Sequence, residues 1–369
     1  MPVSTWDLYT ILLLLFVLFF CSFTYSLAGK NIVINFNNSK LDISKLFYFI
    51  SLLTIILVVG LQKSNSDYDS YSYLFKYEYG RTLNIFQTEY IFKFLNYIVY
   101  QIIGEYKYLT LLIALITYTF FYKSVDYYVN KLNLSRFNCM LMLLTLYMLV
   151  SFGMLRQICA ASICMYSLRY LEQKNIKKFL LFFFIAFGFH TSSIFLLVLA
   201  IIIYPYKSNK VRIFSLMLVA LLYYSLFFNA NLILSFFHNL SSRDYSLYSE
   251  SMQIGLGNLV SRLPIIFLLF IFRRTINNSN DTLMFLVKII VFEILTVFTY
   301  YVFPILGGRI IYFVLFCRSV LIPYVLKNGI KEKKFGALLI ILYCLYYFFN
   351  QLITTSWITE FLMPIEFDI

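Results

Sequence analysis

The sequence predicts an all-α integral membrane protein, a single bundle of about twelve transmembrane helical segments. Three observations predict it. The chain is 61% hydrophobic and only 13% charged, whereas soluble domains carry about a quarter charged residues. Apolar windows of roughly 17–25 residues, the length a helix needs to cross hydrocarbon, recur along the chain. The connections between those windows alternate between basic and non-basic. The polar stretches are too short for a soluble domain, so residues 1–369 read as one polytopic membrane domain. The 41 Phe and 33 Tyr suit lipid-facing and interfacial positions.

In chain order the candidate spans are 8–28, 46–62, 107–122, 137–153, 154–171, 213–230, 259–272, 284–301, 305–326 and 335–350. The first lacks a basic n-region and a small-residue cleavage site, so it reads as a retained span rather than a signal peptide. The 154–171 and 259–272 windows are the weakest, because Arg156, Arg169 and Arg262 interrupt or end them. The run 179–204 is long for one helix and short for two. With His190 at its centre and Gly188 just before, it reads as two shorter helices that go out and back around a polar turn.

Charge sets the orientation. The segments 29–45, 123–136, 169–178, 207–212, 273–281 and 327–334 hold most of the 30 Lys and Arg. By the positive-inside rule these connections are cytoplasmic. Both termini and the segments 62–107 and 231–258 then lie outside. The formal charge of +13 is accounted for by this topology, so no nucleic-acid partner is inferred from it. Two outer loops are long enough to carry function, 63–106 and 231–258. Within the first, Tyr90 to Ile103 is amphipathic at helical spacing and reads as a short interfacial helix. The six cysteines lie inside apolar runs without CxxC or Cys/His spacing and read as small core residues.

Ionisable groups at bilayer depth are disfavoured by roughly 2.5–3.5 kcal/mol on insertion scales, so those that persist are site candidates. His190 begins the run His190-Thr191-Ser192-Ser193. It is either a satisfied core histidine or a general base or phosphate donor. Thr191, Ser192 and Ser193 are expected to cap the second half-helix, whose amides attract anions. Arg156, followed by Gln157, stands at the outer end of a span. It either snorkels to the headgroups or offers its planar fork to a phosphate. Arg309, after Pro304 and the pair Gly307-Gly308, has the same two readings. Asp67, Asp69, Tyr73, Arg81 and Glu89 fall in the first outer loop. They are either a solvated loop or a sugar-binding surface, with carboxylates accepting from hydroxyls and rings facing CH groups. Glu293 needs a partner inside the bundle, and Arg318 and Arg262 are the candidates. No Walker motif, HExxH or arginine repeat occurs, and neither a metal site nor a cofactor is expected.

Four features in order resemble the EpsG/Wzy group of bacterial polysaccharide polymerases. They are the Asp-Tyr loop Ser66 to Phe75, and the Glu89-Tyr90 step at the next amphipathic segment. Then come Arg156-Gln157-Ile158-Cys159-Ala160 with Ala186 to Ser193, and Gly308-Arg309-Ile310-Ile311-Tyr312. The resemblance spans roughly residues 65 to 315, and the Arg156 and His190 runs are its most specific part. The resemblance implies a glycosyltransferase bundle of the GT-C type in the inner membrane, with its site facing the periplasm. Its substrate would be oligosaccharide repeat units on undecaprenyl pyrophosphate, joined into O-antigen, capsule or exopolysaccharide, with a chain-length regulator as a family-level partner. In that setting Arg156, Gln157 and Arg309 would bind the pyrophosphate. His190, Asp69 and Glu89 would handle the acceptor hydroxyl, and Asp67, Tyr73 and Arg81 the sugars. The alternatives are a flippase or exporter of the same lipid-linked sugars, or another surface-glycan ligase or acyltransferase.

Overall fold

The computed structural model describes residues 8–30, 32–36, 39–62, 71–82, 88–204, 210, 213–214, 217, 221, 262–277, 279–296 and 304–354. Within them the chain is helical apart from one short hairpin. Helix α1 (Leu8–Leu27) precedes strands β1 (Val33–Phe36) and β2 (Ser39–Asp42), an antiparallel pair with Val33 opposite Asp42. This hairpin departs from the all-α expectation. Helix α2 (Ser44–Gly60) follows at once, its Ser44 hydroxyl and amide both donating to the Asp42 carboxylate. Those two bonds hold the Asp42 carboxyl below its usual range.

A helical segment passing into the π-helical turn Phe75–Tyr79 leads to α3 (Tyr90–Ile102). Then come α4 (Tyr106–Leu132), α5 (Arg136–Gly153), α6 (Leu155–Glu172) and α7 (Ile176–Phe189). A 3-10 turn, Thr191–Ile194, joins α7 to α8 (Phe195–Ile203). The later described helices are α9 (Leu263–Ile271), α10 (Arg273–Asn277), α11 (Asp281–Leu295), α12 (Pro304–Ile311), α13 (Cys317–Gly329) and α14 (Lys333–Thr354).

Among the described residues four helices are long and apolar enough to cross a membrane: Tyr9–Leu27, Tyr106–Leu132, Arg136–Gly153 and Lys333–Leu352. Ser44–Gly60 and Thr191–Ile203 are shorter apolar helices. A membrane protein follows, but not the expected count of about twelve spans. Within the described part of the 259–272 window, from Arg262 on, α9 holds nine residues. The 305–326 window is broken by turns at 312–316. Most of 213–230, and all of 231–258, lie outside the described residues.

The core is built on α5. Every residue from Cys139 to Gly153 is buried, as expected of a helix that is apolar all round. Helices α1, α4, α6, α13 and α14 pack against it. Where α6 meets its neighbours it presents the buried small residues Ala160, Ala161 and Ser162, which let helices approach closely. At one end of the bundle, basic connections are tied down by carboxylates. Glu172 takes Lys131 at 2.6 Å, Thr282 at 2.6 Å and Tyr127 at 3.1 Å, linking α4, α6 and α11. Asp126 takes Tyr25 at 2.7 Å and Arg136 at 3.0 Å. Deeper in the bundle, Arg318 meets Glu293 through Nε at 3.2 Å and through Nη2, and donates to Tyr343 at 3.1 Å. Arg318 is thus the partner that the Glu293 charge required.

Candidate functional site

A single residue joins α5 to α6. Gly153 closes α5, Met154 leaves helical geometry (φ −129°, ψ 42°), and Leu155 opens α6. The chain therefore reverses at the end of the bundle opposite Lys131, Arg136 and Glu172. It also puts Arg156 in the first turn of a helix, where unsatisfied amides already carry partial positive charge. A cation there is unfavourable unless an anion answers it. Glu89 supplies that anion: Arg156 Nη1 donates to its Oε2 at 2.8 Å, with side-chain exposures of 12% for Arg156 and 1% for Glu89. Nη2 donates to the Tyr71 hydroxyl. The guanidinium carbon lies 4.1 Å from the centre of the Tyr71 ring and 4.7 Å from that of Phe92. Such cation–π contacts contribute roughly 0.5–2 kcal/mol, depending on desolvation.

Glu89 is held in an uncommon backbone state. It caps the head of α3 in the left-handed region (φ 61°, ψ 40°), which costs a residue with a side chain of order 1–3 kcal/mol. The surroundings enforce it. Tyr90 donates its hydroxyl to the Phe184 carbonyl of α7 at 3.0 Å. On the same helix, Gly188 lies so close that a Cβ would stand 2.6 Å from Ile91 Cγ1. The helix expected from Tyr90 onward is present, with Phe94 and Ile102 exposed, and its first turn is clamped against α7.

α7 ends at His190, which is extended (φ −154°, ψ 127°). The expected hydroxyl cap is not what the next turn uses: the His190 imidazole does the work, Nδ1 accepting from the Ser192 amide at 3.2 Å. That bond leaves the proton of the neutral ring on Nε2, and Nε2 lies 4.0 Å from Glu89 Oε1. The 179–204 run is thus broken at His190, as its sequence suggested.

Arg309 reaches the same place from α12, and Gln157 Nε2 donates to its backbone carbonyl at 2.8 Å. Just beyond, where the helix gives way to turns, the Tyr147 hydroxyl donates to the Tyr312 carbonyl at 2.8 Å. These two bonds satisfy carbonyls that a broken helix leaves exposed inside a bundle.

Around these groups is a cavity of about 140 Å³. Arg156, Gln157, His190 and Arg309 line it, together with the rings of Tyr71, Phe92 and Tyr106 and the polar groups of Gln62, Thr110 and Ser151. Two arginines, an imidazole N–H and several neutral donors beside aromatic faces form a setting for an anionic, partly hydrophobic ligand. Among the described residues no three His, Cys, Asp or Glu side chains converge to hold a metal.

Of the residues singled out from sequence, the structure brings Arg156, Gln157, His190 and Arg309 onto one cavity wall, with Glu89 bonded to Arg156. Tyr73 and Arg81 are not on that wall. Tyr73 is 63% exposed and packs on Tyr77 at 4.8 Å. Arg81 bonds the Lys76 carbonyl and lies over the Tyr77 ring at 5.3 Å. Asp67 and Asp69 lie outside the described residues. Sequence reasoning missed Tyr71 and Phe92 as the seat of Arg156. Tyr71 belongs to the same aromatic run as Tyr73, two positions away, but nothing in the run says which ring turns inward.

Comparison with known families matches residues 45–365, most of the chain, to the EpsG family. No curated protein and no solved structure matches.

Proposed function

The chain belongs to the EpsG family, a Wzy-type polysaccharide polymerase family, and from that premise we propose which substrate it takes and how. It joins oligosaccharide repeat units carried on undecaprenyl pyrophosphate into O-antigen or capsular polysaccharide, on the periplasmic face of the bacterial inner membrane. The observation that carries this reading is the convergence of Arg156, Arg309 and His190 on one cavity.

In the transfer, an acceptor sugar hydroxyl attacks the anomeric carbon of the lipid-linked donor. A carbon–oxygen bond forms there, and the bond to the diphosphate oxygen breaks, its electron pair leaving with the lipid diphosphate. Charge builds on that oxygen as the bond breaks. Fixed cations in a site shielded from water stabilise it without reorganising. Arg156 and Arg309 are placed to do this. His190, with its proton on Nε2, is an N–H donor to the diphosphate or to the acceptor oxygen. The hydroxyl proton passes to a carboxylate, for which Asp69 and Glu89 are the candidates. Rings such as Tyr71 and Tyr106 offer faces to sugar CH groups. Orientation follows from charge: the cavity lies at the far end of α5, α6 and α7 from Lys131, Arg136, Arg169 and Lys178, and basic connections stay cytoplasmic. A chain-length regulator is the expected protein partner.

In cells that depend on this chain for their polymer, Arg156→Ala and His190→Ala should remain in the membrane. Gels of extracted polysaccharide should show single repeat units in place of the length ladder. Wild-type ladders from both variants would reject the reading. Complete absence of transferred units would favour a flippase instead.

A further inference from the structure

We infer that Glu89 is a positioning residue rather than the proton acceptor, and that with Tyr71 it forms a cradle fixing Arg156 toward the cavity. The inference rests on the polymerase reading and narrows it. Glu89 is 1% exposed and is not among the residues lining the cavity, so an acceptor hydroxyl in the cavity does not meet it. Its oxygens face inward, Oε2 to Arg156 at 2.8 Å and Oε1 toward His190 at 4.0 Å. A carboxylate between two cationic or donor groups of the wall aligns both at once.

Tyr71 completes the seat. Glu89 takes Nη1 and Tyr71 takes Nη2, while the Tyr71 and Phe92 rings approach the guanidinium. A guanidinium has five N–H donors. Two are used in the cradle, and Arg156 still lines the cavity, where a diphosphate would meet it. An anion therefore binds without displacing Glu89. The left-handed backbone of Glu89 and the clamp of α3 on Gly188 have a common outcome: they bring the carboxylate at the head of α3 against the Arg156 guanidinium. Holding a long, rotamer-rich side chain ready in its bound geometry is what raises affinity for a small anion.

The test uses the full-length chain in lipid nanodiscs, with inorganic pyrophosphate as the binding probe and polymer synthesis from lipid-linked units as the rate. Glu89→Gln keeps an oxygen for Arg156 but cannot accept the hydroxyl proton. A positioning role predicts that it retains turnover within about tenfold of wild type while pyrophosphate binding weakens, a KM effect rather than a kcat effect. Tyr71→Phe, which removes one hydroxyl and leaves the fold intact, should weaken pyrophosphate binding in the same way. In an Arg156→Ala background neither substitution should weaken it further, because both act through that side chain. Loss of turnover in Glu89→Gln with pyrophosphate affinity unchanged would overturn the assignment and make Glu89 the base. Additive losses in the Arg156→Ala background would overturn it as well. If Arg156→Ala itself left pyrophosphate binding unchanged, the polymerase reading of the cavity would fail instead, so the two failures are distinct.

Discussion

Arg156 shows how much a single side chain depends on its neighbours here. It sits at the positive end of a helix, flanked by rings and answered by one buried carboxylate. Lysine carries the same charge but lacks the planar fork. Arg156→Lys should therefore insert normally and lose at least about tenfold in polymer output, since each hydrogen bond to a charged group contributes roughly 1.5–3 kcal/mol. Gln157 acts on the other arginine: its amide holds the Arg309 carbonyl. Gln157→Leu removes that donor from a partly buried carbonyl, a loss of about 1 kcal/mol. The expected result is a shorter ladder and a lowered melting temperature, checked by gel and by thermal unfolding in detergent. The types of these residues were readable from sequence, because Arg and His in apolar windows are conspicuous. Their partners were not. Glu89 precedes Arg156 by a long stretch of chain and looks like any solvated loop acid. Only the fold shows that the two are bonded.

At the scale of elements, the site hangs on how α3 meets α7. Gly188→Val would drive a side chain into Ile91 and the Tyr90 ring, both already at contact with the glycine. The head of α3, and Glu89 with it, would have to move. Polymer output should fall although Gly188 touches no substrate, and the loss should appear as weakened pyrophosphate binding. The Glu293–Arg318 pair is the counterpart away from the cavity, joining α11 to α13. Arg318→Met leaves Glu293 as an uncompensated buried charge, which typically destabilises by about 3–5 kcal/mol. Adding Glu293→Leu should recover most of that melting temperature. Helix existence was legible from apolar windows and from the break at His190. The breaks at 312–316 and the β1–β2 hairpin were not, because an apolar run carries no mark of where tertiary partners such as Tyr147 take over its carbonyls.

Among the described residues the molecule is a bundle around α5, which is buried from Cys139 to Gly153, and its thiols report on that. Cys21, Cys139, Cys159, Cys164, Cys317 and Cys344 are all free and buried. A membrane-impermeant maleimide should leave them unlabelled in intact membranes and label them only after denaturation. Labelling of Cys139 or Cys164 in the native state would mean that the core opens. Composition and charge alternation established a membrane protein and the end that carries the basic turns. The number of crossings was beyond them, since an apolar stretch of intermediate length serves equally as a span, a half-helix or a buried segment.

The twin tethers from Tyr147 and Gln157 to the broken α12 have a wider consequence. Each donor sits on a different helix of the inner bundle, so Arg309 and the turn after it take their place from the scaffold rather than from the outer loops. On the proposed reading, the water-facing loops can then be rewritten for a different glycan while the two arginines stay in register.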